Sequence, residues 1–136
     1  IKTTHAADLA TYLARLGRLE EAERFASIGR TAAEDDLSSQ STAGTAETIM
    51  LAARGDLQGA EDRARAVVAM IADGEWPAGQ GDAWMELARV LRAAGRLSAA
   101  EQASREALAL YEREGFERQP GGLAVLSLPL PLREAT

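Results

Sequence analysis

One nine-residue phrase occurs three times in this chain and constrains its fold more than any single residue. It reads Arg15-Leu16-Gly17-Arg18-Leu19-Glu20-Glu21-Ala22-Glu23, then Ala53-Arg54-Gly55-Asp56-Leu57-Gln58-Gly59-Ala60-Glu61, then Ala93-Ala94-Gly95-Arg96-Leu97-Ser98-Ala99-Ala100-Glu101. Each copy holds a glycine, a leucine two residues on, an alanine five on and a glutamate six on. The glycines Gly17, Gly55 and Gly95 fall 38 and 40 residues apart. Self-similarity at that period marks a helical repeat array, in which one helix pair cannot bury its own apolar face and stacks on the next. The glycine lets the chain leave a helix in a left-handed conformation. The leucine is expected to pack back across the turn, and the alanine to sit where two helices nearly touch. The phrase is therefore the corner of a helical hairpin and not a ligand loop.

Helical periodicity continues on both sides of each corner. Leu9, Leu13 and Leu16 precede Gly17, and Leu19, Ala22, Ala26, Gly29 and Ala33 follow it. The acidic run Glu34-Asp35-Asp36 then supplies a stop signal, with Ser38 as the expected N-cap of the next helix. The second pair is expected over residues 38–54 and 57–72, with Leu57, Ala60, Ala64, Val67 and Ile71 on its later stripe. Residues 73–81, which hold Trp76-Pro77 and three glycines, read as the longest internal loop. The third pair carries Trp84, Leu87, Ala88 and Leu91, then Leu97, Ala100, Ala107 and Tyr111, and fades by Gly115. Its last helix would leave Ala107, Leu110 and Tyr111 on an open apolar face. The expected fold is all-α: hairpins at about 5–34, 38–72 and 79–115 in one domain spanning 1–118. From residue 119 to 136 the character changes. Pro120, Gly121, Gly122, Pro129 and Pro131 oppose helix, yet Leu126, Leu128, Leu130 and Leu132 alternate along it. Residues 123–132 are expected to lie extended against a helical surface of this molecule or a neighbour.

Composition supports thin, closely packed layers. Apolar residues make up 46% of the 136 but aromatics only 4%, so the core is built mainly from Ala and Leu. Such small side chains let helices approach closely. The net charge is -6 and no Lys/Arg block interrupts it, which argues against nucleic acid as a ligand. Cysteine is absent, so disulfides and thiolate metal sites are excluded. No stretch approaches the ~20 apolar residues of a membrane span, and no charged-then-apolar start resembles a signal peptide. A cytoplasmic protein without membrane partners is the expectation. Fourteen arginines beside the single Lys2, with heavy use of alanine, suit a GC-rich bacterial genome.

These residues resemble the tetratricopeptide repeat. In the third copy Trp84, Leu87, Ala88, Leu91, Gly95, Ala100 and Ala107 stand at that family's aromatic, leucine, small, large, glycine, alanine and alanine positions. The first copy keeps Leu9, Ala10, Leu13, Gly17 and Ala22, with Ala6 where an aromatic is usual. The second keeps Leu51, Gly55 and Ala60, with Glu47 at a leucine position. The units exceed the family's usual length of about 34 residues. The order of Asp35-Asp36-Leu37-Ser38-Ser39-Gln40, Gly81-Asp82-Ala83, Glu86 to Arg96 and Glu106 to Glu112 is similar to the C-terminal repeat region of actinobacterial multidomain adenylate/guanylate cyclases and ATP-dependent transcriptional regulators. The resemblance implies three stacked hairpins in a right-handed α-solenoid. It also implies a protein–protein interaction or scaffolding module, regulatory in bacterial signalling or transcription control, and no enzyme activity or cofactor. Small-molecule sensing and self-assembly, as a homodimer through open array ends or the tail, stand as alternatives.

Candidate chemistry is sparse. His5 and Asp8 lie one helical turn apart at the start of the first helix, with no further residue marked out to join them in catalysis or metal binding. Glu20, Glu21 and Glu23 open a helix, where acids offset the macrodipole, and no loop has calcium-ligand spacing. Trp84 falls on a core stripe. Trp76 is either an exposed anchor or a ring folded over a helix end. The resemblance places the first helix of each pair on a concave face, which assigns Thr11, Arg15, Thr45, Ile49, Met85, Arg89 and Arg92 to a groove for a partner protein or peptide. Arg15, Arg89 and Arg92 would suit an acidic segment, because arginine binds carboxylates bidentately. The competing reading is an arginine stripe paired with Glu86 and the surroundings of Glu101.

Overall fold

A computed structural model describes residues 1–118, which form six helices and, among the described residues, no strand. They are α1 (Thr3–Arg15), α2 (Leu19–Gly29), α3 (Leu37–Ala53), α4 (Leu57–Met70), α5 (Pro77–Ala93) and α6 (Leu97–Arg118). The three phrases are the corners of three hairpins. Gly17, Gly55 and Gly95 have φ of 81°, 88° and 79°, the left-handed region where only glycine is unstrained. Each corner closes with the same two hydrogen bonds. Gly17 donates to Ala14 and Arg18 to Leu13, both at 3.0 Å; Gly55 and Asp56 repeat this on Ala52 and Leu51, and Gly95 and Arg96 on Arg92 and Leu91. This is the Schellman arrangement, which satisfies carbonyls that a helix end would otherwise leave open.

Helix starts depart from the sequence reading in two places. Asp36, not Ser38, caps α3: its Oδ1 accepts from the Ser39 amide at 3.2 Å. The expected loop at 73–81 is shorter, because Pro77 opens α5 with its φ already helical and no amide hydrogen to satisfy. Gln80 then closes the loop from inside α5, its Nε2 donating to the carbonyls of Ile71 and Gly74, both at 2.8 Å.

Alanine builds the core, as composition suggests. Ala10, Leu13, Ala14, Ala22, Ala26, Ala46 and Met50 form one cluster across α1, α2 and α3. Ala64, Leu87, Ala88, Leu91, Ala100 and Ala103 form another across α4, α5 and α6. The alanine of each phrase, Ala22, Ala60 and Ala100, is buried. The leucine is less uniform. Leu19 packs on the first cluster, but Leu97 is exposed, so it does not fold back over its turn. The expected open face of α6 is also corrected: Ala107 is fully buried and Tyr111 turns toward α5. Residues 119–136, with the expected docking of 123–132, lie outside the described residues.

Candidate functional site

The first helices of the three hairpins line a groove of about 590 Å³. Thr4 of α1 shares a hydrogen bond with Ser39 of α3 at 2.7 Å, and Thr11 donates to the Thr42 carbonyl at 3.3 Å. Both helices advance together along these contacts, so α1 and α3 run side by side in one direction. The α3 floor is rich in hydroxyls. Ser41, which is buried, and the half-buried Thr42 both donate to the Ser38 carbonyl, at 3.1 and 2.9 Å, so each hydroxyl oxygen keeps its acceptor capacity.

At one end, Arg15 of α1 and Arg89 of α5 both donate to Glu86 Oε1, at 2.7 and 3.1 Å. The Glu86 side chain is 7% exposed, while those of Arg15 and Arg89 are 44% and 55% exposed. A carboxylate taken out of water needs such partners, whereas the two guanidinium side chains stay about half exposed. The opposite end is aromatic. Tyr111 reaches across from α6 and donates to Asp82 Oδ1 at 2.6 Å, and burial together with this bond pushes its phenol above the ordinary value. The Trp76 ring lies over Gly79 at the first turn of α5, so it is folded on the helix end while remaining partly exposed to the groove.

A known family is matched at the third corner. Residues 85–114 match the family model of the tetratricopeptide repeat. That match runs from the middle of α5, through Gly95, into α6. Together with the all-helical fold it supports a tetratricopeptide-type domain, and such repeats support a role as a protein–protein interaction or scaffolding module. No curated protein and no solved structure matches the chain.

In this helical array, Thr11, Arg15, Thr45, Met85 and Arg89 line the common groove. Ile49 and Arg92 do not. Each lies about one turn beyond the last lining residue of its helix; Ile49 packs on the first apolar cluster and Arg92 is exposed elsewhere. Sequence reasoning missed Asp8, Asp82, Trp76 and Tyr111 as lining residues. Asp8 and Asp82 were within reach of it, since each precedes a groove arginine by seven residues, two helical turns. Tyr111 was not, because its placement depends on how α6 crosses α5.

Two other carboxylates repeat the Glu86 pattern away from the groove. Glu47, which the resemblance sets at a leucine position, accepts from Arg30 and Arg63, and these partners explain how a charge is tolerated on α3. Glu61 accepts from Arg65 and Arg96, and its pKa is lowered, first by the Arg65 hydrogen bond. His5 is exposed, and no group of three or more metal-ligating side chains occurs among the described residues. No helix of the described residues is long and apolar enough to cross a membrane.

Proposed function

We propose that the groove holds an extended segment of a protein partner, with an acidic side chain or chain terminus seated by Arg15 and Arg89. The observation that carries this reading is the shared carboxylate: each arginine is bonded to Glu86 through one nitrogen and keeps further N–H donors for a ligand in the groove. Glu86 also holds the two guanidiniums in place before binding, which lowers the entropy lost on association. The chain then serves as a regulatory or scaffolding module of bacterial signalling or transcription control in the cytoplasm, in keeping with its resemblance to repeat regions of cyclases and regulators.

The test uses two pools of fluorescent random nonapeptides, one with a fixed central Glu and one with a fixed central Gln. Anisotropy should show tighter binding of the Glu pool. The preference should vanish in the triple variant R15Q/E86Q/R89Q, which removes the arginines without stranding the buried carboxylate. Equal affinity of both pools for the wild-type protein would reject the reading.

A further inference from the structure

An all-acidic ligand fits only half of this groove. Its lining holds two arginines, Arg15 and Arg89, against three carboxylates, Asp8, Asp82 and Glu86. The charges are also ordered. On α1 Asp8 precedes Arg15 by seven residues, and on α5 Asp82 precedes Arg89 by seven, so both walls carry a carboxylate two turns before an arginine. The arginines are brought to one end by their common bond to Glu86. The α3 floor between the walls offers hydroxyls and no charge at Ser38, Ser41, Thr42 and Thr45.

From this arrangement we infer that the groove recognises a peptide segment carrying both charges in a fixed order: an acidic residue at the Arg15/Arg89 end and a basic residue at the Asp8/Asp82 end. The inference rests on the peptide-binding reading above and narrows its ligand class. Asp8 is exposed and carries no ion pair among the described residues, and Asp82 accepts from Tyr111 through one oxygen only. Trp76, on the same lining, adds a partly exposed aromatic face of the kind that attracts Lys or Arg. Seven helical residues span roughly 10 Å. An extended chain covers that distance in about three residues, and the reach of the side chains widens the spacing to between three and five. Thr42 on the floor, whose hydroxyl already donates to the Ser38 carbonyl, keeps acceptor capacity that suits a backbone N–H group of an extended strand.

The experiment extends the fixed-residue pools. In nonapeptides with Glu fixed, an Arg is fixed three to five residues to its N-terminal side in one set and to its C-terminal side in another, with Gln replacing the Arg in a third. The wild-type protein should bind one of the Arg sets about tenfold tighter than the Gln set, as expected for two or three partly exposed charge contacts. The opposite order should show no gain. D8N/D82N should remove the advantage of Arg and keep the preference for Glu, while R15Q/E86Q/R89Q should do the reverse. Circular dichroism of each variant checks that the helices are intact, and D8N alone, at an unpaired surface position, gives a partial loss free of any effect on Tyr111. A Glu preference with no Arg preference, or an equal gain from both orders, overturns this inference and leaves the peptide groove standing. Loss of both preferences overturns the two together.

Discussion

Tyr111 of α6 donates its hydroxyl to Asp82 of α5 at 2.6 Å, and it does so across Gly81, where a methyl group would lie 2.7 Å from the ring. The missing side chain is what lets the last helix contribute to a groove built mostly from first helices. Gly81→Ala should push the ring away and break the bond. In a spectrophotometric titration one of the two tyrosines should ionise later than free tyrosine in the wild-type protein, and that late step should move down in the variant. Because the folded-state pKa is raised, this contribution to stability is full below about pH 10 and is lost as pH rises beyond it.

The arginines at the other end are not ordinary surface charges. Removing both as R15A/R89A leaves Glu86 buried without a counter-charge, and this should cost roughly 3 kcal/mol in urea unfolding. The triple variant R15Q/E86Q/R89Q should cost less than half as much. Equal losses would show that the carboxylate is not the group that demands them.

Glycines at the corners and in the helices should respond differently to alanine. At Gly55, φ is 88° and nothing would lie within 4 Å of a new methyl, so only backbone strain of about 1 kcal/mol is expected. Gly44 is helical, but a methyl there would approach Val67 Cγ2 to 2.6 Å. Gly44→Ala should therefore cost more, about 1–3 kcal/mol through overpacking of α3 on α4. Thermal or urea melts of the two variants give the order directly.

Acid should weaken the fold through two glutamates. The pKa of Glu23 is lowered, first by its hydrogen bond from Arg30, and that of Glu61 by its bond from Arg65. Depressed folded-state values mean that the unfolded chain takes up protons first as pH falls. Their contribution is full above the ordinary glutamate value of about 4.3 and is lost as pH drops through the lower folded values. Stability measured below pH 4.5 should fall less steeply in Glu61→Gln than in the wild-type protein.

The corners were legible in the sequence because a left-handed residue needs glycine and its neighbours follow fixed helical geometry. The start of α5 was not. Pro77 and Gly79 read as loop residues, and the packing of Trp76 over Gly79 and the Gln80 bonds to the preceding carbonyls, which no local pattern announces, accompany Pro77 in starting the helix there. Of the positions that the resemblance assigns to a groove, Thr11, Arg15, Thr45, Met85 and Arg89 lie on the lining. Ile49 and Arg92 share that register but lie past the level at which Arg15 meets Glu86, a limit set by a contact between residues 71 positions apart. No local pattern encodes such a contact.

That contact changes how the array should come apart. When each repeat touches only its neighbours, stability adds up unit by unit and the terminal units fray independently. Arg15 and Glu86 join the first hairpin to the third without passing through the second. Opening either end therefore also removes a partner from the other end, so the two termini protect each other. Native-state hydrogen exchange should find α1 and α5 opening with similar free energies, as parts of one cooperative unit and not as the edges of a stack.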